Sequence, residues 1–145
     1  MTLQIKDRLT YKDNKYFINT NPFDPYIQEH NIKFSAWISC CWRGYSADWM
    51  IEDNKLFLTY LHGWVKDENK KRTGIGMCDI FPNQYKVFAE WFSGEIDVPF
   101  GEIIGTNFIL GDILEKEMFL KFESGVLVSS REINNRERLN ELLGD

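Results

Sequence analysis

The 145-residue chain reads as a mainly β protein, with about eight antiparallel strands curled into a roll or partly open barrel and one C-terminal helix. Three observations predict this. Aromatic residues make up 15% of the chain and 11 of them are Phe; aromatics favour strands and each buries a large area. Short alternating or continuous apolar runs recur between turn signals along the length. Only the last dozen residues show helical spacing. The length suits a single domain, 1–145, large enough to do without disulfides or a structural metal.

In chain order, 4–11 and 15–19 read as a hairpin joined through Asp13-Asn14. The stretch 21–26 carries two prolines that exclude a central strand, and it leads into a short helical turn over 26–30. Residues 33–41 alternate as a strand, with Phe34, Ala36, Ile38 and Cys40 on one side and Trp37 on the other. Gly44 separates this run from 45–51, where Tyr45, Ala47, Trp49 and Ile51 alternate with Ser46, Asp48 and Met50. A polar turn at 52–55 joins that strand to 56–65 as a hairpin. The polar stretch 66–76 reads as an exposed loop. Residues 87–98 are apolar on both faces, as in a central strand covered on both sides; Gly94 marks a bulge or bend, and Pro99-Phe100-Gly101 closes the run. Residues 115–123 and 126–130 form a last hairpin around Ser124-Gly125. Finally, 132–143 reads as a helix capped by Asn134, with Glu137 three residues on and Leu139, Leu142 and Leu143 as its stripe.

Composition excludes several function classes. A net charge of −5 and a single basic run at 66–73, interrupted by Asp67 and Glu68, argue against nucleic acid, which needs clustered cations. The N-terminus lacks the apolar region of a signal peptide, and no apolar run approaches the roughly 20 residues of a membrane span. Three cysteines, two of them adjacent at Cys40 and Cys41, make no disulfide framework, so the expected location is cytoplasmic.

Cys40, Cys41, Cys78, His30 and His62 lack the CxxC or HxxxH spacing that zinc sites draw on, so neither metal nor cofactor is expected. There is no GxSxG elbow, and Gly74-Ile75-Gly76 lacks the GxxxxGK spacing of a phosphate cradle. Among carboxylates, Asp48, Glu90 and Glu95 lie in aromatic strands, where apolar surroundings raise a pKa for general-acid work. The densest constellation is Trp42-Arg43-Gly44-Tyr45 with Asp48. An Arg between aromatic rings stacks on one while its planar fork holds a carboxylate, and Asp48 is the partner in reach. Exposed Trp, Arg and Tyr are also the residues enriched in binding hot spots. The plainer reading is an Arg that covers the rim of an aromatic core.

The block Cys41-Trp42-Arg43-Gly44-Tyr45-x-Ala47-x-Trp49, with Phe88-Ala89-x-Trp91-Phe92-x-Gly94 and Pro99-Phe100-Gly101, resembles a family of uncharacterised small bacterial proteins. Asn21-Pro22, 79–82 and the 115–120 strand with its Gly125 turn fit the same pattern. The resemblance implies one domain and carries no activity or catalytic residues. Size, acidity and class are also similar to those of immunity proteins. The expectation is therefore a non-enzymatic module that binds a protein partner through Trp42, Arg43, Tyr45 and Asp48. The alternative is a small-ligand barrel or carboxylate-dependent hydrolase using Asp48 or Glu90.

Overall fold

The structure is a computed structural model and describes residues 4–36, 38–107 and 111–143; the side expected for Trp37 lies outside the described residues. The elements are β1 (Asp7–Tyr11), β2 (Asn14–Ile18), α1 (Asp24–Glu29), β3 (Tyr45–Glu52), β4 (Lys55–Lys66) and β5 (Arg72–Gly76). They continue with α2 (Met77–Ile80), β6 (Val87–Phe88), β7 (Gly94–Asn107), β8 (Gly111–Glu123) and β9 (Val126–Asn134). A 3-10 turn (Asn135–Arg138) and α3 (Leu139–Leu142) end the chain. The strands form one mainly antiparallel sheet in the order β2-β1-β3-β4-β9-β8-β7, with β5 and β6 also on β4.

β4 and β9 pair only at Lys55 and Val126, and residues from both sides of that junction share one core. At the other side, the residues after β2 reach β7. The Asn19 amide donates to the Asp97 carbonyl at 2.9 Å, and the Asp97 amide donates to Thr20 Oγ at 2.9 Å. The result is a partly open barrel with that contact as its seam.

Period-2 alternation fills the interior. Tyr45, Ala47 and Trp49 of β3 are buried with Leu9, Ile18, Leu58, Leu61, Ile96 and Leu120. Thr59 is an extra residue where the β3–β4 register shifts between Asp48 and Trp49. That bulge keeps both Leu58 and Leu61 inward although they are three apart, as a bulge does.

Five expectations change. Among its described residues, the run 33–41 makes no ladder; Phe34 forms one isolated bridge with Val65. The flank of β4 that β3 occupies up to Gly63 passes to Ser35, whose amide donates to the Trp64 carbonyl at 2.6 Å, and β5 holds the opposite flank. The chain then turns towards the N-terminal segment, where the Ile5 amide donates to the Cys40 carbonyl at 2.7 Å. Gly44, at φ +81°, is the corner: a Cβ there would lie 2.6 Å from the Ser35 carbonyl oxygen.

The polar stretch 66–76 contains β5, an exposed strand that polarity alone does not disclose. The run 87–98 is two strands. Val87 and Phe88 pair with β4, a turn buries Ala89 and Phe92, and the chain leaves it as β7 on β8. Pro99 does not close that strand. Asp97 turns its amide outward to the seam, so the position of Pro99 two residues on would do the same, and its missing N–H costs β7 no bond to β8. Lastly, 132–134 still belong to β9. Asn134 does cap, its Oδ1 accepting from the Arg136 amide at 2.9 Å, but the helical segment begins after it and opens as a 3-10 turn.

Candidate functional site

Asp7 stands in phase with Leu9 on β1, so strand alternation drives a carboxylate into the core, where it is fully buried. It is satisfied there by three donors. Arg43 Nη2 and the Ala47 amide (3.1 Å) reach Oδ1, and the Trp49 indole N–H (2.9 Å) reaches Oδ2. Arg43 also donates to Asn21 Oδ1 at 3.0 Å and lies 4.3 Å above the Tyr45 ring. The Tyr45 hydroxyl donates to Asp24 Oδ1 at 2.6 Å. Burial pushes the Asp7 carboxyl up, and the Arg43, Trp49 and Ala47 donors offset part of that. Burial works against the charge on Arg43, yet Asp7 holds its pKa above the usual guanidinium value. Burial also pushes the Tyr45 phenol well up, and Asp24 adds to it.

The four residues singled out in the sequence therefore do not form one surface. Arg43 and Tyr45 are committed inside this cluster. Arg43 does not pair with Asp48; its partner is Asp7. Asp48 has the opposite parity on β3 and faces out, where Arg8 holds it with two bonds, Nε at 3.0 Å and Nη2 at 2.7 Å. Trp42 is 59% exposed in the loop before Gly44. Its amide donates to Gln4 Oε1 at 2.7 Å; Ile5 and Ile38 are exposed as well.

The register builds a second feature around Asp48. Phe17 stands opposite Arg8, Arg8 opposite Asp48, and Asp48 opposite Tyr60. One row thus crosses β2, β1, β3 and β4 on the outer face, an ion pair between two aromatic rings. Phe17 is 62% and Tyr60 48% exposed. The sequence signal for this row was the outward phase of Asp48 on β3; the register that completes it comes only from the tertiary fold.

Two concavities are lined by described residues. A groove of about 600 Å³ is walled by Tyr26, His30, Phe81 and Trp91, with Glu29 and Glu90 also lining it. Its rings are spent on one another: Tyr26 is sandwiched between Phe23 at 5.0 Å and His30 at 3.8 Å, and the Trp91 indole N–H donates to the Pro22 carbonyl at 2.8 Å. A smaller cavity of about 190 Å³ lies between the outer face of β7–β8 and the C-terminal segment, bordered by Asp97, Glu117, Asn135 and Arg138. Asn135 Nδ2 at 3.0 Å and Arg138 Nη2 at 2.7 Å both donate to Glu117 Oε1. Burial, with Glu117 facing it, pushes Asp97 up to about 7. Burial also opposes ionisation of Glu117, but Asp97, Asn135 and Arg138 hold its carboxyl below the usual range. Of the carboxylates expected to do chemistry, Glu90 is exposed, and Glu95 meets Arg131 at the surface, 3.4 Å away.

No group of three or more His, Cys, Asp or Glu that would hold a metal ion occurs among the described residues. Compared with family models, curated proteins and solved structures, the chain matches none.

Proposed function

We propose that the chain is a non-enzymatic protein-binding module whose contact surface is the outer face of β1–β4, centred on the row Phe17–Arg8–Asp48–Tyr60. The carrying observation is that row itself: two largely exposed rings flank a two-bond Arg–Asp pair, on strands whose other face is fixed in the core. Aromatic residues and Arg dominate binding hot spots, and a row on paired strands loses little entropy when covered. Trp42, itself largely exposed, supplies a second apolar contact. Acidity favours a basic partner through steering, as in an immunity protein with its toxin. Three unpaired cysteines support a reducing, cytoplasmic setting in a bacterial cell; among the described residues no helix is long and apolar enough to cross a membrane.

The small-ligand or hydrolase reading has less behind it. Asp48 lines neither concavity; the 600 Å³ groove beside Glu90 is walled by rings already stacked on one another, and the 190 Å³ space at Asp97 is below the roughly 300 Å³ at which ligand pockets begin.

Affinity capture from the native cell with the wild type, Phe17→Ser/Tyr60→Ser and Trp42→Ala tests the proposal. The wild type should retain a stoichiometric partner and the double variant should lose it, with both variants folded by circular dichroism. A partner held equally by the double variant sinks this surface.

A further inference from the structure

Asp97 and Glu117 lie diagonally on one face of β7–β8, since Asp97 pairs with Phe119 and Pro99 with Glu117. Glu117 is buried. Asp97 Oδ2 accepts from Asn19 Nδ2 at 3.2 Å, but Oδ1 is buried with no donor among the described residues. Glu117 is the acid that faces Asp97 across that diagonal, and two ionised carboxylates cannot hydrogen-bond to each other. One proton removes both problems: it gives Oδ1 a hydrogen to donate to Glu117, and it takes one charge from a buried pair with a single guanidinium, Arg138, beside it.

We propose that Asp97 and Glu117 bind one proton between them, and that this proton closes the seam of the barrel and fails to close it once lost. Asp97 is the seam residue: its amide, carbonyl and side chain all bond to Asn19 or Thr20. The charged groups around the pair are Arg138 from the 3-10 turn, and Lys6 and Asp112 on the cavity wall. On the same outer face of β7, Glu95 is engaged by Arg131.

The sign follows from linkage. Asp97 titrates at about 7 in the closed protein and in the ordinary carboxylate range once an opening separates it from Glu117. Closed molecules bind more protons between those limits, so closure is strongest in mild acid and is lost as pH rises towards 7. The limit is about tenfold in the opening equilibrium per pH unit; solvent screening at the half-buried Asp97 reduces this to roughly tenfold in all between pH 5.5 and 7.5. The depressed Glu117 acts only at lower pH, where its contribution is lost as pH falls.

The test is amide hydrogen exchange at Asn19 and Asp97, corrected for intrinsic rates, with a ¹³C titration of the Asp97 carboxyl. Wild type should lose about tenfold in protection between pH 5.5 and 7.5, with Asp97 titrating near neutrality. Asp97→Asn, whose amide donates permanently, should be flat across this range. Should that variant fail to fold, Glu117→Gln serves: removing the facing charge should move the Asp97 titration below pH 5.5. An Asp97 that titrates wholly below about pH 5, flat wild-type protection, or a wild-type slope in Asp97→Asn overturns the proposal.

Discussion

Replacing Asp7 by alanine asks how much of the fold rests on one buried carboxylate. Its loss leaves Arg43, whose side chain is 17% exposed, without its counter-charge, and a broken buried pair costs about 3–5 kcal/mol. The Trp49 indole and the Ala47 amide lose their acceptor at the same time, at about 1–3 kcal/mol for each donor that water cannot reach. These contributions overlap, because a corner that relaxes admits water to all three donors, so about 4–6 kcal/mol is expected in total. Typical domains hold only about 5–15 kcal/mol. At roughly 2–4 °C per kcal/mol for a chain of this size, the melting temperature should fall by about 10–20 °C.

Urea unfolding followed by tryptophan fluorescence measures it, with Asp7→Leu/Arg43→Met as the companion. That double variant removes both charges and their desolvation, and should recover about 1–3 kcal/mol relative to Asp7→Ala. A loss below about 1 kcal/mol for Asp7→Ala, an ordinary surface value, would refute the structural reading. So would a double variant no more stable than the single one.

Gly44→Ala should cost at least about 2 kcal/mol, since it combines a left-handed backbone with a clash against the Ser35 carbonyl that backbone cannot evade; a change under about 0.5 kcal/mol in the same unfolding assay would count against that corner. Tyr45 should add nothing to the tyrosinate absorbance up to about pH 11, so Tyr45→Phe should leave the ultraviolet titration of the folded protein unchanged. Because its folded pKa is raised, the linked stability is intact below the unfolded value of about 10 and drains away in alkali above it, and Tyr45→Phe should unfold at higher pH than wild type. Phe17→Ala, Tyr60→Ala and Trp42→Ala should each change stability by less than about 0.5 kcal/mol. Each of the first two should weaken partner binding by at least about tenfold, read by calorimetry once the partner is in hand.

Hairpins were legible in the sequence where alternation and turn residues agreed: β1–β2 around Asp13, β3–β4 around Asp53-Asn54, and β8–β9 around Ser124-Gly125. The run 33–41 alternates just as well, yet its described residues make no ladder. Alternation is local, whereas a ladder needs a free flank, and beyond Phe34 and Ser35 this run meets the N-terminal segment instead. In 87–98, a continuous apolar run cannot distinguish one strand from strand, turn and strand; the burial of Ala89 and Phe92, three apart, decides it. Arg43 lies over the Tyr45 ring and holds a carboxylate. Its partner was sought five residues away at Asp48, but it lies 36 residues upstream at Asp7. The available clue was parity, since Asp7 shares the inward phase of Leu9.

Two ion pairs cross the β1–β3 junction, the sheet's parallel pairing, which spans only Arg8 to Thr10 against Asp48 to Met50. Asp7–Arg43 crosses on the inner face and Arg8–Asp48 on the outer. Their consequences differ by magnitude. Breaking the buried pair costs about 3–5 kcal/mol, so it fixes the β1–β2 hairpin, and with it Phe17, against β3. The outer pair is largely solvated and contributes about 0–1 kcal/mol to the fold. Arg8 and Asp48 can therefore exchange each other for the charges of a partner at little cost to stability, while Arg43 and Asp7 cannot. Of the charged residues near the aromatic corner, those that hold the structure and those left at the surface are separated by one residue of strand parity.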